Sequence, residues 1–217
     1  MSRSGWRVLL PLALLCVLGG CVTLPPYDFS NYREHPPRSI LVLPPLNEST
    51  AVEGTYSYLS TVTEPLAELG YYVYPVAVID QYLKANGMPT AGEMHQIPLA
   101  KVAEIIGADA VLYLDLKQYG SKFQLVSSNA IVTVTAKLVD TRSATLLWEG
   151  SATAQNNSNS NNQGGFLGQL LAAAIAQAIG SKLDVSHGVC RLANAQLFDP
   201  ERRGLPYGPY HPKHVAP

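Results

Sequence analysis

Ser39-Ile40-Leu41-Val42-Leu43-Pro44-Pro45 is a short apolar run that two prolines bring to an end. Such a run is typical of a buried strand that stops in a loop. From Val52 to Leu69, apolar residues then recur at spacings of three and four, which predicts one face of an amphipathic helix. Gly70 follows and predicts the end of that helix. The chain therefore opens its folded part with a strand and a helix.

The same alternation continues along the next forty residues. Residues 71–76 are aromatic and β-branched and predict a second strand, and residues 78–86 predict a short helix before Gly87. Residues 98–106 predict another helix before Gly107, and residues 110–116 predict a third strand. Strands that alternate with helices imply right-handed crossovers and a partly parallel sheet.

The second half of the chain changes its pattern. Apolar and polar residues alternate from 132 to 138, residues 140–143 are turn formers, and residues 144–153 predict a returning strand. We expect a bulge or bend at residues 127–129, where Ser-Ser-Asn interrupts the first arm. The predicted fold is a single α/β domain over residues 38–198. Its mixed sheet combines a parallel βαβ part with an antiparallel hairpin and is flanked by helices.

Two further segments follow the hairpin. Residues 155–165 are rich in Asn, Ser and Gly and predict a mobile loop, and residues 166–182 predict an apolar helix that is too short to span a bilayer securely. On that helix, small residues four apart make a ridge that either packs on this protein's own sheet or contacts a partner, including a second copy: Gly168, Ala172, Ala176 and Gly180. Residues 199–217 form a Pro/Gly/Tyr-rich tail that wraps the domain or presents its rings to a partner.

The first twenty residues predict a secretory signal. Arg3 and Arg7 precede an apolar run of about eleven residues, which is too short to cross a membrane. The sequence that follows resembles the lipobox of bacterial lipoproteins: Leu18, Gly19 and Gly20 for signal-peptidase recognition, then Cys21 for lipidation. By the same resemblance, Val22 in place of Asp implies sorting to the outer membrane. Residues 21–37, which contain four prolines, then predict an extended tether.

The charge of the sequence argues against nucleic-acid binding, and its cysteine content predicts the state of each thiol. The formal net charge is −1, and removing the two arginines of the signal leaves 13 basic residues against 16 acidic ones. Without a basic run, the sequence carries no footprint of nucleic-acid binding. Cys16 leaves with the signal and Cys21 takes the lipid, so Cys190 alone remains in the domain. We expect Cys190 to be buried.

No recognised catalytic or metal-binding constellation occurs in the sequence. It contains no nucleophile elbow, no phosphate-binding loop and no zinc-protease motif. We therefore predict a non-enzyme with no catalytic residues, no metal and no cofactor. A binding groove at the carboxyl ends of the strands is a hypothesis. It would use Pro44, Pro45, Asn47, Tyr74 and Tyr119, and simple turn and capping chemistry is the alternative for the first three.

Four segments together resemble a family of bacterial lipoproteins of unknown function whose best-known member is a meningococcal surface-antigen candidate. They are residues 40–49, 64–76 and 107–113, and the tail motif Leu205-Pro206-Tyr207-Gly208-Pro209. The resemblance implies a fold similar to the N-terminal domain of TolB and to the periplasmic parts of CsgG and LpoB. It supplies no catalytic residues.

The resemblance also implies that the protein functions in the cell envelope. We expect an outer-membrane lipoprotein, on the periplasmic face rather than the cell surface, that acts as an adaptor or subunit in a transport, secretion or assembly complex. Its expected partners are the membrane, a CsgG-like lipoprotein, other transport components and a second copy of the chain. The alternative is an LpoB-like activator that reaches across the periplasm to a cell-wall synthase. A tether of about 16 residues extends at most roughly 50 Å, which is short for that task.

Overall fold

The structure of the protein, a computed structural model, describes residues 26–124, 127–156 and 185–214. It contains six helices and six strands within those ranges. The helices are α1 (Ser30–Glu34), α2 (Gly54–Glu68), α3 (Val76–Ala85), α4 (Ala91–Met94), α5 (Leu99–Ile105) and α6 (Val185–Leu197). The strands are β1 (Ser39–Val42), β2 (Leu46–Asn47), β3 (Tyr72–Val73), β4 (Ala110–Gln124), β5 (Ser127–Asp140) and β6 (Leu146–Gln155).

The strands form one mixed sheet in the order β3-β1-β4-β5-β6, and β2 adds to β4. Strands β1, β2 and β3 all pair in parallel, whereas β4, β5 and β6 form an antiparallel meander. This arrangement confirms the predicted α/β domain with a parallel part and an antiparallel part. The long middle strand β4 belongs to both parts, because it pairs with β1 and β2 on one side and with β5 on the other.

Each face of the sheet carries its own apolar core. Side chains alternate along β1, so that Ile40 and Val42 enter one core while Leu41 and Leu43 enter the other. Helices α2 and α6 cover the first core, which also contains Trp148 and Cys190. Helices α3, α4 and α5 cover the second, smaller core. Cys190 is fully buried, as the sequence predicts.

Three predictions about local structure are wrong. The expected bulge at residues 127–129 is absent, since these residues continue the β4–β5 ladder, and the register shifts lie at Leu116/Gln118 and Leu138/Val139. The expected extended tether over residues 21–37 contains helix α1 in its described part. Tyr32 on that helix is buried, because its ring packs into the first core. Residue 155, placed at the start of a loop, is instead the last residue of β6.

The C-terminal tail wraps the domain. Its N–H groups at Gly208 and Tyr210 donate to the carbonyls of Leu69 and Gly70, at 2.7 and 3.1 Å. Gly70 has a φ of +84°, and a Cβ at this position would lie 2.3 Å from the backbone nitrogen of His211. Glycine is therefore required there both by its backbone conformation and by the close approach of the tail.

Several predicted features lie outside the described residues. These are the signal sequence with Leu18, Gly19, Gly20 and Cys21, and most of the Asn-rich loop. The small-residue ridge of Gly168, Ala172, Ala176 and Gly180 also lies there. Within the ranges that the structure covers, no helix combines the length and the apolar character needed to cross a bilayer.

Candidate functional site

Asn47, from the predicted sheet-end groove, organises a turn. Its side-chain oxygen accepts hydrogen bonds from the backbone N–H and the hydroxyl of Ser49, at 2.9 and 2.7 Å. Its side-chain N–H group donates to the carbonyl of Ala51 at 2.7 Å. All these bonds join residues within four positions of Asn47. They are the hydrogen bonds of a turn, which is the alternative to ligand binding that the sequence predicts for Asn47.

The structure brings only part of the predicted groove together. A Cβ on Gly54 would lie 3.0 Å from the Tyr119 ring and 3.2 Å from the Asn47 amide, so these two side chains flank the same glycine. Tyr119 belongs to the first core, but Tyr74 packs against the second core on the opposite face.

The two prolines of the groove are both buried. The Pro44 carbonyl lies 2.9 Å from the Nε2 of His95, and His95 in turn packs its ring edge-on against Tyr113. Burial lowers the pKa of His95 below its ordinary value, and the hydrogen bond to Pro44 offsets that effect only in part. Pro44 therefore contacts the loop after α4, and ligand binding at Asn47 and Tyr119 stays a prediction.

One cluster of polar side chains on α2 and α3 connects the two helices through hydrogen bonds within the cluster. The Lys84 ammonium donates to the Asp80 carboxylate at 2.7 Å and to the Tyr56 hydroxyl at 2.8 Å, and that hydroxyl donates to the same carboxylate at 3.2 Å. The hydrogen bond to Asp80 raises the pKa of Lys84. These bonds join α2 to α3. Within the described ranges, no group of three or more His, Cys, Asp or Glu side chains is placed to hold a metal ion.

The strongest candidate for a binding surface is an apolar groove between α3 and α5, which we call the helical groove. It encloses about 410 Å³. Its floor is apolar and consists of Leu83, Met88, Ile97, Val102 and Ile106. At its mouth stand Tyr82, 42% exposed, and Ile105, 59% exposed.

The sequence of α3 contains a signal for the helical groove that helical periodicity alone does not reveal. Helix α3 buries Ile79 and Leu83, yet Val78 and Tyr82, one position earlier in each case, are apolar and exposed. A short helix with apolar residues on two faces has one face that the domain itself does not cover.

Comparison with known proteins agrees with the fold. Residues 27–210 match the family described as "Putative lipoprotein GNA1162-like". The "Putative lipoprotein NMB1124/NMB1162" of Neisseria meningitidis is 38% identical over 205 residues, which cover 93% of this chain and 95% of that protein. The crystal structure of lipoprotein GNA1162 from Neisseria meningitidis is 44% identical with a TM-score of 0.55. The match covers 67% of this chain and all of that one.

A more distant likeness links the chain to the LpoB C-terminal domain from Salmonella enterica. The identity is 16%, the TM-score is 0.39, and the match covers 55% of this chain and 83% of that one. The fold and the closer relatives define the class as an α/β lipoprotein domain. Within this class, the chain belongs to the GNA1162-like lipoprotein family.

Proposed function

We propose that this protein is a lipid-anchored adaptor of the outer membrane that works by binding and not by catalysis. In this proposal it faces the periplasm and joins a transport, secretion or assembly complex beside a CsgG-like lipoprotein. The observation that carries the proposal is the helical groove, whose apolar floor and exposed Tyr82 and Ile105 form a surface suited to a protein partner. Family membership supports the lipid anchor.

With a lipid anchor, a groove of limited area is sufficient to bind a protein partner. A lipid confines both partners to one surface and raises their effective concentration, so an interface of limited area supports a stable contact. Two or three acyl chains, at roughly 0.8 kcal/mol for each buried CH₂, hold the protein on the bilayer without a transmembrane helix.

The position of the first described residues favours an adaptor over an activator that reaches across the periplasm. Tyr27 already packs against the core, and its hydroxyl accepts a hydrogen bond from the backbone N–H of Glu149. Only five peptide steps separate Cys21 from Pro26, and they extend at most about 18 Å. A domain held this close to its membrane is suited to partners on the same bilayer.

The anchor is tested by Cys21→Ser in the full chain. We expect radiolabelled palmitate to enter the unaltered protein and not the variant, and the variant to leave the membrane fraction. A Cys190→Ser variant is the matched control and should incorporate palmitate normally. If the Cys21→Ser variant still sedimented with the envelope, or if palmitate never entered the unaltered protein, the anchor would be disproved.

Crosslinking in cells tests the adaptor role. A photo-crosslinking residue at Ile105 should capture another envelope lipoprotein or transport component, identified by mass spectrometry. The same residue at Val52, which is 87% exposed and does not line the helical groove, should not capture it. Tyr82→Ser should weaken the capture at Ile105. Equal capture at both positions would contradict the assignment of the groove.

A further inference from the structure

A second cavity lies where the two ends of the described chain meet, and we call it the terminal cavity. It encloses about 610 Å³. Phe29, Arg33 and Pro36 line one side of it, and Tyr207 and Lys213 line the other. The surface of the cavity is therefore a mixture of aromatic rings, proline and cationic side chains, and it lies on the same face of the sheet as the first core.

The N-terminal wall of the terminal cavity is fixed to the domain. Tyr27 accepts a hydrogen bond from the N–H of Glu149 at 3.0 Å, and the Asn31 amide donates to the carbonyl of Leu146 at 3.1 Å. The buried Tyr32 hydroxyl lies 2.6 Å from that of Tyr71. Because these bonds hold residues 27–32 against the domain, the distance from the lipid to the domain is set by the chain before residue 26.

That chain is short. Five peptide steps from Cys21 to Pro26 extend at most about 18 Å, so Pro26 lies within about 18 Å of the proposed lipid attachment. Phe29, three residues further along the chain, lines the terminal cavity. The helical groove is formed by α3 and α5, which lie on the opposite face of the sheet. Of the helical groove and the terminal cavity, only the terminal cavity is lined by residues near the start of the described chain, which follow the proposed anchor.

The side chains at its mouth suit a membrane interface. Arg33 and Lys213 are exposed, and neither lies within 4.0 Å of a carboxylate oxygen of the described chain, although the Arg33 charge acts on the nearby Asp28 carboxylate. The Lys213 ammonium lies 5.7 Å from the centre of the Tyr207 ring. Glu201 is the acidic residue of the lining. Aromatic rings beside cations are the combination found at the level of lipid headgroups, where rings sit at the interface and cations meet phosphate.

We infer that the terminal cavity docks on the bilayer that holds the Cys21 lipid. The phosphate of an anionic phospholipid headgroup accepts hydrogen bonds from Arg33 and Lys213, and Phe29 and Tyr207 lie at headgroup depth. This inference rests on the proposed lipid anchor. It assigns the protein one orientation, in which the terminal cavity faces the membrane and the helical groove faces away from it, toward protein partners.

The test uses the lipidated full chain reconstituted into vesicles, with a fluorophore on a single added cysteine. Cys190 is buried and Cys21 is acylated, so the added residue is labelled selectively. Pro36→Cys places the label at the terminal cavity, and Ala85→Cys places it at the exposed end of α3 on the opposite face. Vesicles of phosphatidylcholine are compared with vesicles that also contain phosphatidylglycerol, each carrying a headgroup-linked nitroxide quencher.

We expect stronger quenching at residue 36 than at residue 85, and a further increase at residue 36 when phosphatidylglycerol is present. Arg33→Gln and Lys213→Gln should each lower the ratio of docked to undocked protein about fivefold on anionic vesicles. Lys137→Gln, at an exposed lysine of β5 that side-chain alternation turns to the opposite face of the sheet, is the matched control and should change nothing.

The outcomes separate the two proposals. If the full chain failed to float with the vesicles, the proposed anchor would be wrong. If it floated but residues 36 and 85 were quenched equally, or if the phosphatidylglycerol and the two glutamine variants had no effect, the anchor would stand and the docking inference would be overturned. Circular dichroism of each variant shows that the domain is folded in every comparison.

Discussion

At the scale of single residues, a buried polar network joins the two helices of the first core. The Tyr58 hydroxyl on α2 donates to the side-chain oxygen of Asn194 on α6, whose N–H group donates to the Thr61 hydroxyl at 2.9 Å. Burial raises the pKa of Tyr58 well above its usual value, so the hydroxyl stays protonated. Each described buried side-chain nitrogen and oxygen atom has a hydrogen-bond partner. Removing one member therefore leaves another without its partner.

Tyr58→Phe should lower the free energy of unfolding by about 1–3 kcal/mol, because it leaves the Asn194 oxygen buried without a donor. Tyr82→Phe, which removes a hydroxyl from a 42% exposed ring, should change it by less than about 0.5 kcal/mol. Urea denaturation of the two variants and the unaltered protein measures both effects. Similar values for the two variants would show that the network contributes nothing specific.

Asp140 predicts a dependence of stability on pH. Burial alone would raise the pKa of this carboxyl, but the N–H groups of Ser143 and Arg142 and the Ser143 hydroxyl donate to it and hold the pKa below its ordinary value. Because the pKa is lower in the folded state than in the unfolded one, the charged carboxyl stabilises the fold above about pH 4 and this contribution is lost as pH falls.

Asp140→Asn should therefore destabilise the protein most near neutral pH, and its difference from the unaltered protein should shrink below about pH 4. Urea denaturation across the acidic range measures this difference. Glu104→Gln, at a 65% exposed side chain on α5, serves as the control. A difference for Asp140→Asn that stayed constant down to the lowest pH would contradict the predicted sign.

At the scale of elements, the sequence predicts those helices and strands whose apolar residues recur with a clear period. The alternation over residues 132–138 and the proline-bounded run at residues 39–45 correspond to β5 and β1. Strand β2 has only two residues, too few to show any period, and α6 carries Asn194 and Ser186 among its buried positions, which obscures its apolar face. The prediction for residues 127–129 is wrong because the position of a bulge depends on how neighbouring strands pair, which the sequence of one strand does not record.

The contact between the tail and Gly70 gives a prediction with a matched control. Gly70 and Gly87 have nearly the same φ, +84° and +86°, but nothing lies within 4 Å of a Cβ on Gly87. Gly87→Ala should cost about 1–2 kcal/mol from backbone strain alone. Gly70→Ala should cost at least about 2 kcal/mol more, because its Cβ meets the backbone of His211.

Limited trypsin digestion shows where the additional cost arises. Gly70→Ala should detach the tail and speed cleavage after Arg202, Arg203 and Lys213, whereas Gly87→Ala should leave these sites as slowly cut as in the unaltered protein. If both variants lost equal stability and were cut at equal rates, the close approach of the tail to Gly70 would have no energetic role.

At the scale of the whole molecule, the two faces of the sheet divide the functional surfaces. The terminal cavity and the tail belong to the face with Trp148 and Cys190, and the helical groove belongs to the other. Sequence reasoning proposed one groove at the strand ends, but alternation along the strands sends Tyr74 and Tyr119 to opposite faces. The helical groove depends on how α3 and α5 pack together, and no single segment predicts that packing.

The reactivity of the Cys190 thiol measures whether the whole domain is folded. The Cys190 side chain on α6 is fully buried in the first core, so a thiol reagent should not modify it in the native protein. The modification rate should rise with urea in parallel with global unfolding. Rapid labelling without denaturant would show that α6 opens independently of the rest of the domain.

The attachment of Tyr27 and Asn31 to β6 has a mechanical consequence. A tension between the lipid and a bound partner enters the domain through Tyr27 and Asn31, whose bonds to Glu149 and Leu146 lie side by side along one strand. Such a load opens the bonds one after another, as in unzipping, before it reaches the Tyr32 ring in the core. Under a sustained force, the residues before Tyr32 would thus detach from the domain and lengthen the chain between the lipid and the domain, while the sheet stays intact.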